Sequence, residues 1–211
     1  AIKRSYKLEK GAELTFEANP DSADFKLLRA LRRAGFNRVS FGYQSACQPE
    51  LDKVHRPHTV EQGDSAVEAA RRAKKAGFDG VELHGAHGYL LAQFLSRGVN
   101  KRTDRYGGCV SARARMVCEI VRGIRQACGP DFPIGVRTSG DEGYEGGNRI
   151  LDAVAQSLLF QEAGADVIHV SHGIPIHSYH TPSGFNIPNV RQVKEALSIP
   201  VMGVGRMNDP A

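Results

Sequence analysis

The stretch Ala76-Gly77-Phe78-Asp79-Gly80-Val81-Glu82-Leu83-His84-Gly85 occurs in two further variants, Ala34-Gly35-Phe36-Asn37-Arg38-Val39-Ser40-Phe41-Gly42 and Ala163-Gly164-Ala165-Asp166-Val167-Ile168-His169-Val170. Each variant begins at the end of a segment with helical periodicity, over residues 25–34, 65–76 and 150–163. A glycine suited to a helix C-cap follows, and a β-rich run begins within a few residues. The starts at residues 34, 76 and 163 lie 42 and 87 residues apart, and 87 is close to twice 43. The repeat therefore predicts one helix and one strand in about forty residues.

The same order of helix and strand fills the rest of the chain. A helix over 113–127 precedes the strand Ile134-Gly135-Val136-Arg137, a helix over 190–197 precedes a strand over 199–205, and a strand over 13–18 opens the series. Strands that alternate with helices of this length pair in parallel through right-handed crossovers. No Gly-x-Gly-x-x-Gly motif follows the first strand, which disfavours a dinucleotide-binding fold.

These six strands predict an α/β fold of the (β/α) TIM-type barrel class, in a single barrel-like domain over residues 1–211. A complete barrel of this type has eight strands in about 250 residues. The chain has two strands fewer, begins without methionine and ends at Asn208-Asp209-Pro210-Ala211. We therefore expect an incomplete or hybrid barrel, from a fragment, an engineered chain or a natural recombinant.

Composition and charge exclude several classes of protein. The chain has 28 Lys and Arg residues against 23 Asp and Glu, a formal net charge of +5, and its basic residues are scattered at helical spacing. That pattern indicates solvent-exposed helix faces and predicts no nucleic-acid partner. No apolar run approaches the roughly 18 residues of a membrane span, so we expect no membrane association. The four cysteines fit neither a disulfide scaffold nor a metal or redox spacing, which predicts a reduced, cytoplasmic protein.

The densest group of reactive side chains is His84-Gly85-Ala86-His87-Gly88-Tyr89. In a (β/α) barrel reactive groups lie at the C-terminal ends of strands, and this segment follows a predicted strand. Its small residues let the backbone turn sharply, so that two imidazoles and a phenol converge on one point. Such donors can hold a carbonyl oxygen that gains negative charge. The alternative is a pair of loop histidines whose hydrogen bonds are met within the fold.

Three His-x-x-His pairs raise the question of a metal site: His84/His87, His169/His172 and His177/His180. Side chains alternate along a strand, so His169 and His172 would face opposite sides if residues 166–171 form one. No cysteine or carboxylate accompanies these pairs at ligand spacing. We therefore expect no metal site.

Two arginines near predicted strand ends indicate an anionic cofactor. Arg137 ends the apolar strand Ile134-Gly135-Val136, a place that suits an anion or an electron-rich ring edge better than core packing. The turn Gly203-Val204-Gly205-Arg206 offers backbone N–H groups and a guanidinium, the chemistry of a phosphate cradle. Together with the histidine group, these residues predict a phosphate-bearing cofactor across the strand ends.

Residues from about 66 to 211 resemble the old yellow enzyme family, in its branch of NADH:flavin oxidoreductases, enoate reductases and 2,4-dienoyl-CoA reductases. Four segments carry the resemblance in order: residues 70–90, Asn100-Lys101-Arg102-Thr103-Asp104-Arg105-Tyr106-Gly107-Gly108, Gly129-Pro130-Asp131-Phe132-Pro133-Ile134-Gly135-Val136-Arg137 and Pro200-Val201-Met202-Gly203-Val204-Gly205-Arg206. The resemblance implies FMN as cofactor, NADH or NADPH as co-substrate, and reduction of an activated C=C bond in a small enone or enoyl substrate.

The resemblance also implies roles for residues that bind the substrate. His84 and His87 would bind the carbonyl oxygen, which makes the β-carbon electron-poor enough to accept hydride from the flavin. Tyr89 would then protonate the α-carbon. His177, in Gly173-Ile174-Pro175-Ile176-His177, resembles a second acidic histidine of the dienoyl-CoA branch.

A set of cofactor-binding residues is implied in the same way. Arg137 would face the flavin pyrimidine, and Gly203, Gly205 and Arg206 would hold the phosphate. Gln44 ends the strand that precedes the one carrying His84, where the flavin family has a glutamine that faces the pyrimidine.

Residues 12 to about 65 resemble a different family, the radical S-adenosylmethionine enzymes that oxidise coproporphyrinogen III without oxygen. This resemblance is carried by Glu13-Leu14-Thr15-Phe16-Glu17-Ala18-Asn19-Pro20-Asp21, Asn37-Arg38-Val39-Ser40-Phe41-Gly42-Tyr43-Gln44-Ser45 and His55-Arg56-Pro57-His58-Thr59. It implies that Glu17, Gln44 and Arg56 match contacts to adenosylmethionine. The Cys-x-x-x-Cys-x-x-Cys motif for the iron–sulfur cluster is absent from the sequence, which excludes the radical reaction. We therefore expect a hybrid barrel that joins a radical-type segment, 1–65, to a flavin-oxidoreductase segment, 66–211.

Two functions are open on this sequence. One is an FMN-dependent ene-reductase, complete or vestigial. The other is a non-catalytic hybrid or fragment of a barrel that forms homo-oligomers through open sheet edges. Flavin absorbance separates them, because a yellow protein favours the first and a colourless protein favours the second.

Overall fold

The computed structural model describes residues 9–18, 23–41, 66–173 and 181–207. The helices and strands within these ranges are β1 (Thr15–Ala18), α1 (Phe25–Ala34), β2 (Arg38–Phe41), α2 (Ala66–Ala76), β3 (Gly80–Gly85), α3 (Leu90–Leu95), α4 (Val110–Cys128), β4 (Ile134–Ser139), α5 (Ile150–Ala163), β5 (Val167–Ser171), α6 (Ile187–Ala196) and β6 (Val201–Gly203). The strands form one parallel sheet in the order β1-β2-β3-β4-β5-β6. This confirms the predicted α/β class and the six parallel strands of a TIM-type barrel.

Glycines end the helices of the repeated motif, as the sequence predicts. Gly35 follows α1 with a φ of 106°, and Gly164 follows α5 with a φ of 105°. In this left-handed conformation the Gly35 N–H reaches carbonyl oxygens in the last turn of α1. A residue with a Cβ would be strained at this φ, so glycine lets the chain leave the helix and enter the next strand at once.

The outer face of the sheet is apolar and packs against the helices. Its buried side chains are Val39, Phe41, Val81, Leu83, Ile134, Val136, Ile168 and Val170. The helices contribute buried side chains to the same core, among them Leu28, Val117, Val121, Ile124, Phe160 and Val193. Full burial of one such side chain contributes roughly 1.5 to 3 kcal/mol. This layer holds the strands in place and leaves their other face to carry chemistry.

The inner face of the sheet carries polar side chains at alternate positions of the strands: Arg38, Glu82, His84, Arg137 and His169. The Arg38 Nη1 atom lies 3.9 Å from the Met202 Sδ atom, although β2 and β6 are separated by three strands in the sheet. Four strand spacings in a flat sheet would place β2 and β6 about 19 Å apart. The sheet is therefore strongly curved around a polar interior, as in a barrel.

The observed elements differ from the predicted ones mainly at their ends. α4 begins at Val110 rather than near residue 113, and β6 is shorter than the predicted strand over 199–205. Pro200 has no N–H to donate to the ladder, and Gly205 has a φ of 150°, so these two residues limit β6. The short helix α3 has no counterpart among the predicted elements, because six residues are too few for helical periodicity to stand out.

Candidate active site

The candidate site lies along one row on the inner face of the sheet. His84 on β3 and Arg137 on β4 are register partners, and Arg137 is in turn the partner of His169 on β5. Register partners on neighbouring strands point to the same face of a sheet. The fold thus places a guanidinium between two imidazoles, near the C-terminal ends of the strands, where barrels carry their reactive groups.

The surroundings of His84 fix its protonation state. Only 2% of the residue is exposed, and the Ala86 backbone N–H donates to its Nδ1 atom at 3.3 Å. Burial, reinforced by the charge of Arg137, lowers the pKa of His84 to about 4. The ring is therefore neutral near pH 7, with Nδ1 as an acceptor and the proton on Nε2. His84 can donate a hydrogen bond from Nε2 without carrying a charge.

His87 and Tyr89 lie against the His84 ring. The centroid of the His84 ring is 5.1 Å from that of His87 and 5.0 Å from that of Tyr89, and both contacts are edge-on. His87 has a φ of 60°, a left-handed conformation that is uncommon outside glycine and often found at functional sites. The structure therefore brings together the two imidazoles and the phenol that the sequence singles out.

Ser171 links His87 to Arg137. The His87 Nε2 and Ser171 Oγ atoms are 2.8 Å apart, and the same Oγ accepts a hydrogen bond from Arg137 Nη2 at 3.4 Å. Burial, again reinforced by the charge of Arg137, lowers the pKa of His87 to about 4. Both histidines of the pair are therefore neutral near pH 7.

Arg137 has an unmet hydrogen bond that fits a flavin. Its Nε atom is buried and has no partner among the residues that the structure describes. An unpaired buried donor costs about 1 to 3 kcal/mol, so a ligand with an acceptor at this point would be favoured. The pyrimidine edge of a flavin offers oxygen and nitrogen acceptors that proteins use to tune its electronics. The residues present thus fit FMN.

The predicted phosphate turn makes contacts of its own in this fold. A Cβ on Gly203 would lie 2.7 Å from the Val190 Cγ2 atom, so glycine lets α6 approach β6 closely. Arg206 has a φ of 49°, and its Nη1 atom donates to the Thr181 carbonyl oxygen at 2.8 Å. These contacts order the turn, and phosphate binding by Gly203, Gly205 and Arg206 stays a prediction.

Two predicted residues, Gln44 and His177, lie outside the described residues, as does Arg56. Their roles as flavin contact, second acid and adenosylmethionine contact stay predictions. His84, His87, Tyr89 and Arg137 are the members of the predicted set that the structure brings together.

Three inner-face residues are absent from the predicted set: His169, which belongs to this row, and Glu82 and Ser171, which lie next to it. The Glu82 Oε2 atom lies 2.9 Å from His169 Nδ1. A signal was present, since Val81-Glu82-Leu83-His84 and Ile168-His169-Val170-Ser171 place a polar residue at every second position. Such alternation marks a strand with one polar and one apolar face.

The described residues contain neither a ready-made metal site nor a helix suited to cross a membrane. Within residues 9–18, 23–41, 66–173 and 181–207, no group of three or more His, Cys, Asp or Glu side chains is arranged to hold a metal ion. None of the helices in these ranges combines the length and apolar character that a membrane crossing requires.

Comparisons with known proteins identify the family of this chain. The model of the NADH:flavin oxidoreductase / NADH oxidase family matches residues 47–211. The chain is 44% identical over 150 residues to NADH oxidase of Thermoanaerobacter brockii and 37% identical over 164 residues to cinnamate reductase of Clostridium sporogenes. Each match covers 68% of this chain but 23% and 25% of the respective relative, so the chain spans about a quarter of their length.

A solved structure supports the fold. The old yellow enzyme homologue from Zymomonas mobilis has a TM-score of 0.60 with this chain, at 19% identity, and the match covers 88% of this chain and 61% of the homologue. At this level of identity the likeness shows the barrel fold alone.

The family match begins at residue 47, whereas the resemblance in the sequence places its start at about 66. The comparisons give no evidence for a radical S-adenosylmethionine segment. FMN is the flavin of the matched family, and NADH or NADPH is its reductant. Because the match extends over more than three quarters of its residues, this chain belongs to the NADH:flavin oxidoreductase / NADH oxidase family, that of the old yellow enzymes.

Proposed function

We propose that this chain carries an FMN-dependent ene-reductase site, which reduces a C=C bond conjugated to a carbonyl group with hydride from NADH or NADPH. The observation that supports it most is the row in which His84, neutral and protonated on Nε2, stands beside Arg137. The name of one relative, cinnamate reductase, fits this class of reaction.

Arg137 would hold the flavin. Its buried Nε donor and its permanent positive charge suit the pyrimidine edge, where negative charge collects on reduction. When bound, FMN supplies the hydride that it has taken from NADH or NADPH.

His84 and His87 would hold the substrate. The Nε2–H of His84 donates to the substrate carbonyl oxygen. Ser171 accepts from Arg137 and can give its own proton to His87 Nε2, an arrangement that leaves the His87 Nδ1–H as the second donor. Two neutral donors polarise the carbonyl group and stabilise the negative charge that develops on its oxygen.

Tyr89 would deliver a proton to the α-carbon. Its ring is edge-on to the His84 ring, with 5.0 Å between the ring centroids, so Tyr89 lies beside a carbonyl-binding donor. A positioned phenol can act as a general acid once negative charge has reached the carbon next to the carbonyl. Tyr89→Phe keeps the ring and removes only this proton.

Flavin and phenol titrations test the proposal. The parent should bind FMN, and p-hydroxybenzaldehyde should then produce a long-wavelength charge-transfer band. His84→Ala/His87→Ala should keep FMN and lose the band, whereas the control His172→Ala, whose ring packs on Phe185, should keep both. A parent that binds no FMN would contradict the proposal and favour the non-catalytic barrel. An unchanged band in the double variant would remove the two histidines from the site.

The remaining expectations are proposals of the same kind. We propose that Gly203, Gly205 and Arg206 bind the FMN phosphate, that Gln44 faces the flavin pyrimidine and that His177 is a second acid near the substrate. Equal FMN affinity in Arg206→Ala and the parent would remove Arg206 from that set. We further propose a small enone or enoyl substrate, a cytoplasmic location and a homo-oligomer.

We also propose that the chain is one barrel-like domain over 1–211, in which a radical-type segment over 1–65 joins the flavin-family segment. Its support is the resemblance of the quoted motifs. Because the family match begins at residue 47, it favours a junction nearer to residue 47 than to residue 65. FMN binding by a chain truncated to residues 66–211 would show that the first segment is dispensable for the flavin site.

A further inference from the structure

Glu82 lies one layer below the candidate site. It precedes His84 by two residues on β3, so both side chains belong to the inner face of the sheet. Only 2% of Glu82 is exposed. A carboxylate this deep would be costly without partners, and its partners therefore define what it does.

Two basic side chains contact the Glu82 carboxylate through the same oxygen. The Oε2 atom is 2.9 Å from His169 Nδ1 and 3.2 Å from Arg38 Nη1. Arg38 is held in turn by Glu13 Oε1 at 3.1 Å and Thr15 Oγ1 at 3.0 Å. Glu13 and Thr15 thus hold the Arg38 side chain in place, and Arg38 contacts Glu82 from the side of β3 that is opposite β4.

The contact between Glu82 and His169 spans two strand spacings because β4 leaves room for it. The register partner of Glu82 on β4 is Gly135, which has no side chain. A Cβ at Gly135 would be in van der Waals contact with the Glu82 Cβ, at 3.7 Å. Glu82 therefore reaches across β4 to His169, and His169 is the register partner of Arg137.

The charge of Glu82 determines the proton of His169. Burial raises the pKa of Glu82, but the hydrogen bond from His169 and the charges of His169, Arg38 and Arg137 together bring it below the usual value. An ionised carboxylate only accepts hydrogen bonds, so His169 Nδ1 must carry a proton. This is the reverse of His84, whose Nδ1 accepts.

We propose that Glu82 is a positioning residue for the flavin site, which orients His169 beside Arg137 and offsets the charge of Arg137 with a buried carboxylate. The inference rests on the proposed function, since it places the flavin on Arg137. Reduced flavin carries more negative charge than oxidised flavin, and a buried carboxylate nearby disfavours it. Glu82 therefore lowers the affinity for reduced FMN relative to oxidised FMN.

Glu82→Gln tests this role, because it keeps the shape of the side chain and removes its charge. Dissociation constants for oxidised and for reduced FMN are measured in the parent and the variant. Their ratio should shift about tenfold toward reduced FMN, which equals about 30 mV for a two-electron couple. A shift of less than fivefold overturns the electrostatic role.

Two variants control this measurement. Glu82→Asp keeps the charge, and its ratio should stay within fivefold of the parent. Glu119 lies on α4 and its carboxylate pairs with Arg105. Glu119→Gln removes this carboxylate and should leave the ratio of the two dissociation constants unchanged. A shift as large in Glu119→Gln as in Glu82→Gln would overturn the role of Glu82, because the effect would then be one of net charge.

A second measurement needs neither flavin nor a Glu82 variant. Nitrogen-15 NMR of the parent without FMN reports which nitrogen of His169 carries the proton, and His169→Gln assigns the signal. We expect the proton on Nδ1, and a neutral ring protonated only on Nε2 overturns the pairing with Glu82. A parent that binds no FMN refutes the proposed function, whereas FMN binding with an unchanged affinity ratio in Glu82→Gln refutes this inference alone.

Discussion

Replacing Arg137 with methionine should weaken FMN binding and, in the protein without flavin, raise stability. Within the described residues the buried Nε atom of Arg137 has no partner, which costs about 1 to 3 kcal/mol. Methionine has a similar length and needs no hydrogen bond, and it gives up the 3.4 Å contact with Ser171 Oγ and the attraction between Arg137 and the buried Glu82 carboxylate. We expect the melting temperature to rise by about 2 to 4 °C for each kcal/mol recovered.

The flavin complex of this variant should change in the opposite direction. A hydrogen bond with a charged donor is worth roughly 1.5 to 3 kcal/mol, which corresponds to about a 10- to 150-fold loss of FMN affinity. The removal of an arginine that only stabilises the fold would lower the stability of the flavin-free protein and would not raise it. The opposite signs therefore distinguish a ligand-binding Arg137 from a structural one.

Two assays measure these effects. Thermal unfolding without flavin gives the change in stability, and quenching of flavin fluorescence gives the affinity. Arg97→Met is the matched control, because the Arg97 side chain is 54% exposed and its ion pair with Asp152 is long, at 3.8 Å. It should change neither quantity by much. Equal FMN affinity in Arg137→Met and the parent would refute the assignment of Arg137 to the flavin.

Three further predictions concern stability. As the pH drops from about 6.5 toward 4, His84 should lower the free energy of unfolding by about 2 to 3 kcal/mol, because its imidazole binds a proton in the unfolded chain but not in the buried site. Equal free energies of unfolding from urea titrations at about pH 7 and pH 4.5 would contradict this. Gly203→Ala should cost about 1 to 3 kcal/mol, because its Cβ would lie 2.7 Å from Val190 Cγ2, and Val190→Ala should restore part of the loss in thermal unfolding. Phe160→Ala should cost about 3 to 5 kcal/mol in the same assay, since Phe160 is fully buried, and a loss below 1 kcal/mol would show that the core relaxes around it.

The order of the elements follows from sequence because glycine marks where the helices of the repeated motif end. α1 and α5 occupy the predicted residues, and left-handed Gly35 and Gly164 end them. Strand ends are less predictable, because ladder hydrogen bonds with a neighbour decide them. β4 continues through Thr138 and Ser139 since both have partners on β5, a fact that their polar character conceals.

The candidate site, like the fold, has features that the sequence predicts and features that it does not. One rule about strand ends predicts that His84, His87 and Tyr89 lie together, and the structure places the rings of His87 and Tyr89 against that of His84. The contact of Glu82 with His169 depends on the register of three strands and on the missing side chain of Gly135, which a single sequence does not encode locally. Gln44 and His177 lie outside the described residues, so their place in the site remains a prediction.

The contact between Arg38 and Met202 has a consequence for how the chain folds. Each strand pairs with strands adjacent to it in sequence, so most of the sheet can assemble one unit at a time. Arg38 and Met202 are 164 residues apart, and joining them closes a much longer loop than any neighbouring pair of strands does. Contacts of such separation slow folding, because their entropy must be lost before they stabilise anything. Enclosure of the polar interior, and with it the burial of Glu82 and His84, should therefore come late in folding, after the helices have formed on the outside.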